Sequence, residues 1–306
     1  MRIAHISDLH FWQITLNPRL LAGKRFLGMG NLLLNRAWKY RMDTMPALVQ
    51  RIREIEPDHL LITGDLTTTA LEEEFRAVRE ALEPLAPKPS SLTVIPGNHD
   101  RYTRESMRSR VFERYFAEFA PSEGYPWLKS IGEGTGVLGL DPTHPNPISA
   151  LGTITLEHLR QAARLLDEAV PRIERLLIAC HYPVALPAGI IDGRGHGLRG
   201  CRDLQAFLAR WSPNLYCHGH VHASWAFSPN TLPRTLCLDP GAALKVRRRS
   251  GVHASMFEIV LDGDAVEVRR HALREGAWRV ETVARVPQFF NGASPVARPP
   301  SQPFAS

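Results

Sequence analysis

Five short polar clusters in this chain carry residue types that bind metal: Asp8-Leu9-His10, Gly64-Asp65, Gly97-Asn98-His99-Asp100, His181 and Gly219-His220-Val221-His222. Carboxylate, imidazole and amide oxygen together suit divalent ions such as Mn²⁺, Fe²⁺ or Zn²⁺, and an oxygen-rich set favours Mn²⁺. A carboxylate between two histidine-bearing groups can bridge two ions, typically about 3.5–4 Å apart, which then hold the attacking and leaving oxygens of an in-line displacement at phosphorus. Taken singly, each cluster has a plainer explanation. Asp-x-His is a weak pattern, Gly-Asp is commonly a turn, and an isolated strand histidine is more often a hydrogen-bonded core residue. Gly-Asn-His-Asp is more specific, because three polar groups follow an apolar run directly. Gly-His-Val-His would place two imidazoles on one side of an extended backbone. Glycines before Asp65, Asn98 and His220 would let the backbone turn tightly beneath the ions.

Each cluster stands where an apolar, β-rich run stops. The runs Arg2–Ser7, His59–Thr63, Leu92–Ile95, Leu176–Cys180 and Leu215–Cys217 lead into the five clusters in order. Val137–Leu140, Thr235–Leu238, Ser255–Val260 and Ala265–His271 read as further strands, the last two joined by a hairpin turn at Asp262-Gly263-Asp264. Helical periodicity fills the gaps over Asp43–Ile55, Arg104–Phe119, Leu156–Ala169 and Asp203–Trp211. Thr69 followed by Glu72 predicts a capping box for a helix running to about Leu82. Strands alternating with helices early, then a strand-rich C-terminal half, predict an α/β layered fold, and open α/β sheets place their sites at the carboxyl ends of strands. Five clusters at five strand ends are hard to explain as turns.

The 306 residues carry a net charge of +6, 44% hydrophobic and 22% charged residues, composition enough for a sizeable core. The charge is uneven. Between Phe11 and Met42 stand Arg19, Lys24, Arg25, Arg36, Lys39 and Arg41 with no Asp or Glu, interleaved with Leu16, Leu20, Leu21, Phe26, Leu27, Met29, Leu32, Leu33, Leu34 and Trp38. This apolar and basic insertion, 11–42, reads either as a helix hairpin packed on the core with solvated charges or as a surface that meets anionic lipid headgroups and accommodates acyl chains. The basic residues cluster with leucines rather than with a stacking array of aromatics, which argues against nucleic acid as a partner. A single domain over 1–285 and an extended, Pro-rich tail over 286–306 are expected. Cys180, Cys201, Cys217 and Cys237 show no disulfide or Cys-x-x-Cys spacing, and no signal peptide or spanning helix is visible, so a reducing, cytoplasmic location is expected, with peripheral contact to the inner face of the membrane through 11–42.

The ordered motifs Asp8-x-His10, Gly64-Asp65, Gly97-Asn98-His99-Asp100, His181 and Gly219-His220-x-His222 resemble those of the calcineurin-like metallophosphoesterase superfamily, over about Met1 to Pro240. The resemblance implies a four-layer αββα sandwich of two mixed sheets flanked by helices. It implies that Asp8, His10, Asp65 and His222 hold one divalent ion, that Asp65 bridges, and that Asn98, His181 and His220 complete a second. His99 would face the phosphoryl group and assist leaving-group departure while a metal-bridging hydroxide attacks phosphorus in line. Arg101 and Arg104 could contact substrate phosphates, although solvated helix-start arginines are commoner. Asp100 reads as a turn cap or loop orienter, and Asp141 and His218 as supports for the ligands.

Three further stretches, Thr69–Phe75, Asn98–Arg104 and Phe112–Phe116, are similar to the chlamydial-type UDP-2,3-diacylglucosamine pyrophosphohydrolase of lipid A synthesis. That similarity implies cleavage of a lipid-linked pyrophosphate to UMP and a lipid sugar phosphate. A cyclic-nucleotide or other phosphodiesterase would use the same ligands, and a metal-binding scaffold without catalysis should lack ligands or the histidine at 99.

Overall fold

The apolar runs form strands and the amphipathic stretches between them form helices. The computed structural model describes residues 1–287 other than 19, 22–23, 33–37, 170–171, 192, 194, 247–253 and 264. In chain order the elements are β1 (Arg2–Ile6), α1 (Lys24–Asn31), α2 (Met45–Ile55), β2 (His59–Thr63), α3 (Glu72–Leu82), β3 (Leu92–Ile95), α4 (Arg104–Arg108), α5 (Val111–Phe116), β4 (Trp127–Gly132) and β5 (Thr135–Leu140). They continue with β6 (Gly152–Thr153), α6 (Leu156–Ala169), β7 (Arg175–Cys180), β8 (Leu198–Arg199), α7 (Cys201–Trp211), β9 (Leu215–Cys217), β10 (Ser224–Phe227), β11 (Leu236–Pro240), β12 (Ser255–Asp262), β13 (Ala265–Arg274) and β14 (Ala277–Pro287).

Two six-stranded sheets result, ordered β14-β13-β12-β1-β2-β3 and β10-β11-β9-β7-β5-β4. Their centres are parallel, β1 with β2 and β2 with β3 in one sheet and β5, β7, β9 and β11 in the other, while the flanking pairs are antiparallel. Ile3, Leu61, Ile95, Val137, Leu177, Leu215, Leu238 and Phe257 fill the space between the sheets. The outer face of the first sheet is covered by α2, α3 and α5 through Leu48, Ile52, Phe75, Val78 and Phe112, and that of the second by α6 and α7 through Leu159, Leu166, Leu204 and Phe207. The architecture is therefore the expected αββα sandwich. Strands buried on both faces need no alternation, which is why β2 carries Leu60, Leu61 and Ile62 in succession and is buried throughout.

Several local expectations change. The helix expected over Arg104–Phe119 is broken, because Arg110 adopts a left-handed φ of 51° between α4 and α5. The cap of α3 is not the Thr69/Glu72 pair: Glu74 reaches back to the backbone N–H groups of Leu71 and Thr69 and to the Thr69 hydroxyl, so the acid two residues further on supplies the cap. The hairpin after β12 is present, with Asp262 paired to Ala265 and Gly263 at φ 50°. Val286 and Pro287 still belong to β14, and the rest of the tail expected from 286 lies outside the described residues.

The segment 11–42 packs partly on the core. Met29 and Leu32 are buried against Leu71, with Trp12, Leu20 and Leu21 beside them. Arg25 is buried rather than solvated, donating to the carbonyls of Thr69 at 3.1 Å and Ala70 at 2.9 Å. Leu16, Phe26, Leu27 and Trp38 remain exposed, while Arg19, Leu33, Leu34 and Arg36 lie outside the described residues. All four cysteines are free, and among the described residues no helix is long and apolar enough to cross a membrane.

Candidate metal centre

The parallel strands point their carboxyl ends the same way, and the loops that leave β1, β2, β3, β7 and β9 converge there. Main-chain bonds set the approach: Asp8 N–H donates to Gly64 O at 3.0 Å, His10 N–H to Asp65 O at 2.9 Å, and Gly219 N–H to His181 O at 3.1 Å. Asp8, His10, Asp65, His220 and His222 all have positive φ, between 50° and 77°. For non-glycine residues that conformation is unfavourable, and such strain gathers where surrounding structure fixes it for function. Glycine serves two different needs here. Gly64 itself has φ 91°, whereas at Gly97 any Cβ would overlap the Asp65 carboxylate and amide nitrogen.

Donor atoms of Asp8, His10, Asp65 and His222 all lie within 4.8 Å of one another. His222 Nε2 is 3.1 Å from Asp8 Oδ1 and 2.9 Å from His10 Nε2, and His10 Nε2 is 3.6 Å from Asp65 Oδ2. A second group adjoins it: His220 Nδ1 is 3.0 Å from Asn98 Oδ1 and 3.3 Å from His181 Nε2, and His181 Nε2 is 3.4 Å from Asp65 Oδ2. Ligands about 2.1 Å from one ion stand roughly 3.0–3.4 Å apart in octahedral or tetrahedral geometry. The separations within the two groups, 2.9–3.6 Å, lie close to that range, and Asp65 Oδ2 borders both groups.

Main-chain carbonyls orient two of the histidine rings. His181 Nδ1–H donates to Thr63 O at 2.8 Å and His220 Nε2–H to His196 O at 2.8 Å, which leaves the opposite nitrogen of each ring to face its group. Burial resists ionisation of Asp65, yet the charges of His181 and His99 hold its carboxyl well below the usual range. Burial would depress His181 too, but Asp65 and Asp8 push it up to about 10. The carboxylates thus demand positive charge at this point, and a cation bound there would displace a proton.

Not every expectation about the loops holds. His220 and His222 do not share one side of an extended strand, because β9 stops at Cys217 and both residues are left-handed; the turn sends each ring to a different group. His218 points away, buried against Trp225 with Asp239 3.7 Å from its Nδ1. Arg101 is buried in a bidentate pair with Glu113 at 2.9 and 2.5 Å and lies 3.4 Å from Asp141, so it anchors α5 to its loop in place of phosphate contact. Arg104 is exposed at the start of α4. Asp100 accepts from the N–H groups of Gly97, Leu66 and Thr67 and from the Thr67 hydroxyl, tying the β2 and β3 loops together. His99 is half-buried; its Nδ1–H donates to Thr68 O at 2.6 Å and its ring meets His10 edge-on at 4.9 Å. Sequence reasoning missed Tyr40, whose hydroxyl is 2.9 Å from His222 Nδ1.

The family model for calcineurin-like phosphoesterases matches residues 1–224. A probable cyclic nucleotide phosphodiesterase of Vesicomyosocius okutanii subsp. Calyptogena okutanii is 35% identical over 72 residues, 24% of this chain and 29% of that protein, so the match spans under a third of the relative. Among solved structures, a dimetal phosphatase from Danio rerio superposes with a TM-score of 0.62 at 13% identity, covering 92% of this chain and 99% of that one. GAP50, the anchor in the inner membrane complex of Plasmodium, gives 0.51 at 9% identity, covering 92% and 88%. At such identities the structural likeness speaks for the fold; the match over residues 1–224 makes this chain a member of the calcineurin-like phosphoesterase family.

Proposed function

We propose that the chain is a dinuclear phosphohydrolase whose substrate is a lipid-linked pyrophosphate, with UDP-2,3-diacylglucosamine, cleaved to UMP and the lipid sugar phosphate, as the best candidate. Asp8, His10, Asp65 and His222 would hold one divalent ion, and Asp65, Asn98, His181 and His220 the other, a mixed oxygen and imidazole set that would accept Mn²⁺ as well as Fe²⁺ or Zn²⁺. Bound ions supply Lewis acidity and an activated water for in-line attack at phosphorus. With Nδ1 of His99 committed to Thr68, its Nε2 is the atom that would meet a phosphoryl oxygen or give a proton to the leaving group.

The observation that supports a lipid is the placement of exposed apolar side chains. Apart from Val280 in β14, every exposed large one among the described residues lies on segments leaving the carboxyl ends of site-bearing strands or their neighbour β5: Ile14, Leu16, Phe26, Leu27 and Trp38 after β1, Met107 after β3, Ile148 after β5, and Ile190 and Ile191 after β7. These segments are joined, Lys24 Nζ donating to Ser149 O at 3.3 Å and Ala150 N–H to Gly195 O at 2.9 Å. An apolar rim gathered around one site marks an interaction surface rather than scattered exposure. A rim of this kind also fits peripheral contact of 11–42 with a membrane. By contrast, Glu74, Phe75, Arg101, Phe112 and Phe116, drawn from the three stretches similar to the lipid hydrolase, cap and pack helices, so the rim carries more weight than they do.

The test is UMP release from UDP-2,3-diacylglucosamine by the Mn²⁺-loaded protein, beside cAMP and bis(p-nitrophenyl) phosphate. Turnover of the lipid substrate, with a KM raised by Phe26→Ser and Leu27→Ser on that substrate alone, is expected. No UMP release overturns the lipid reading. The 35% identical relative favours a second reading, cyclic-nucleotide hydrolysis, which robust cAMP turnover without lipid turnover would establish.

A further inference from the structure

Tyr40 lies between β1 and α2, and it is buried, with 3% of its surface exposed. Its hydroxyl is 2.9 Å from His222 Nδ1, and its ring meets His10 edge-on with centroids 4.6 Å apart. The backbone around it is held from two sides. Tyr40 forms an antiparallel bridge with Lys245, flanked by Arg41 N–H to Leu244 O and Val246 N–H to Lys39 O, both at 2.9 Å. Trp12 Nε1–H donates to Tyr40 O at 3.2 Å. The loop it bridges is itself tied to the end of β1, where Ala243 N–H donates to Ser7 O at 3.0 Å.

A fixed, buried phenol therefore meets the ring nitrogen of His222 that faces away from Asp8. If Nε2 of His222 holds a cation, Nδ1 carries the proton and donates it to the Tyr40 oxygen. Thr63 and His196 perform this task for His181 and His220 with main-chain carbonyls, whereas His222 relies on a side chain brought by another segment. Partners of this kind fix ring orientation and tautomer, and losing one typically costs about 10–100-fold in metal affinity.

We infer that Tyr40 is a positioning residue of the metal centre, so that the segment after β1, which bears Phe26, Leu27 and Trp38 of the exposed apolar rim, also carries part of the metal site. The inference rests on the reading of His222 as a ligand. Its test is calorimetric titration of the metal-stripped full chain with Mn²⁺, comparing wild type with Tyr40→Phe, which keeps the ring against His10 and removes only the hydroxyl. One of two binding events should weaken by about tenfold or more while the other holds, with the metal-free melting temperature unchanged. Identical binding by the two proteins, with His222→Ala impaired, overturns the inference and leaves the ligand reading intact. Unimpaired binding by His222→Ala overturns both. Should Tyr40→Phe lower the metal-free melting temperature, a double-mutant cycle decides: no added loss of Mn²⁺ affinity in the His222→Ala background supports the coupling, and a fully additive loss overturns it.

Discussion

The backbone N–H of His99 donates to Oδ1 of Asp65 at 2.8 Å, and this bond gives the two carboxylate oxygens different tasks. Oδ1 is fixed by the β3 loop, while Oδ2 lies 3.6 Å from His10 Nε2 and 3.4 Å from His181 Nε2. Asp65→Asn would weaken the shared contact whichever way the amide turned, because either a neutral oxygen or an NH₂ group would face both groups. Loss should exceed the roughly 10–100-fold typical of outer partners. Calorimetry should show the two Mn²⁺ binding events of the wild type collapse, together with hydrolysis of bis(p-nitrophenyl) phosphate; retained two-site binding would refute the bridge.

Gly97 tests the same contact from the other side. Its missing Cβ leaves room for the Asp65 carboxylate and amide, neither of which is the far end of a flexible chain. Gly97→Ala should therefore lower stability by about 1–3 kcal/mol, the usual cost of overpacking, and displace the carboxylate enough to weaken Mn²⁺ binding. Gly30→Ala in α1 is the control, since a Cβ there meets nothing within 4 Å. Chemical denaturation and metal titration of the pair check this, and equal behaviour of the two variants would count against it.

His99 separates binding from chemistry. It touches the ligand set through its backbone and through ring contact with His10, while its Nδ1 is held by Thr68. His99→Ala keeps the backbone N–H on Asp65, so two Mn²⁺ ions should still bind. Its kcat should fall by about 10²–10⁴-fold, the range of a positioned general acid. A large loss of metal stoichiometry in this variant would instead make His99 part of the ion-holding shell.

What could be read from the sequence follows burial. Strands β2, β3 and β9 are fully buried, and their apolar and β-branched runs mark both ends correctly. The strands that escaped notice, β4, β10 and β14, are sheet edges with mixed or exposed faces, and β6 and β8 have two residues each. Edge position alone does not decide this, since β3 is an edge too but is buried throughout; β4, β10 and β14 are partly exposed, and mixed composition carries little signal. The same logic divides the site. Ligand-type residues were legible because each follows a buried strand, whereas Tyr40 was not, because it reaches His222 across 182 positions of chain through a bridge to Lys245 that no local pattern announces. Arg101 misled for a related reason: only the fold brings Glu113 and Asp141 to it.

Away from the site, His59 should make stability depend on pH. It is buried at the start of β2, with its ring nitrogens on Ser90 O and the Thr93 hydroxyl. Burial first, and then the charge of Lys129, depress its pKa from 6.5 to about 4. A depressed value in the folded state means that the neutral ring stabilises the fold above the unfolded pKa, and that this contribution disappears as pH falls through about 6.5 toward 4. At roughly 1.4 kcal/mol per pKa unit, full protonation would cost on the order of 3 kcal/mol. His59→Gln cannot take up that proton. Urea denaturation of the metal-free proteins should therefore show the variant less stable than wild type at pH 7.5, with the gap narrowing steadily toward pH 4.5. A gap that stays constant over this range would mean that His59 does not titrate between the folded and unfolded states as its burial requires.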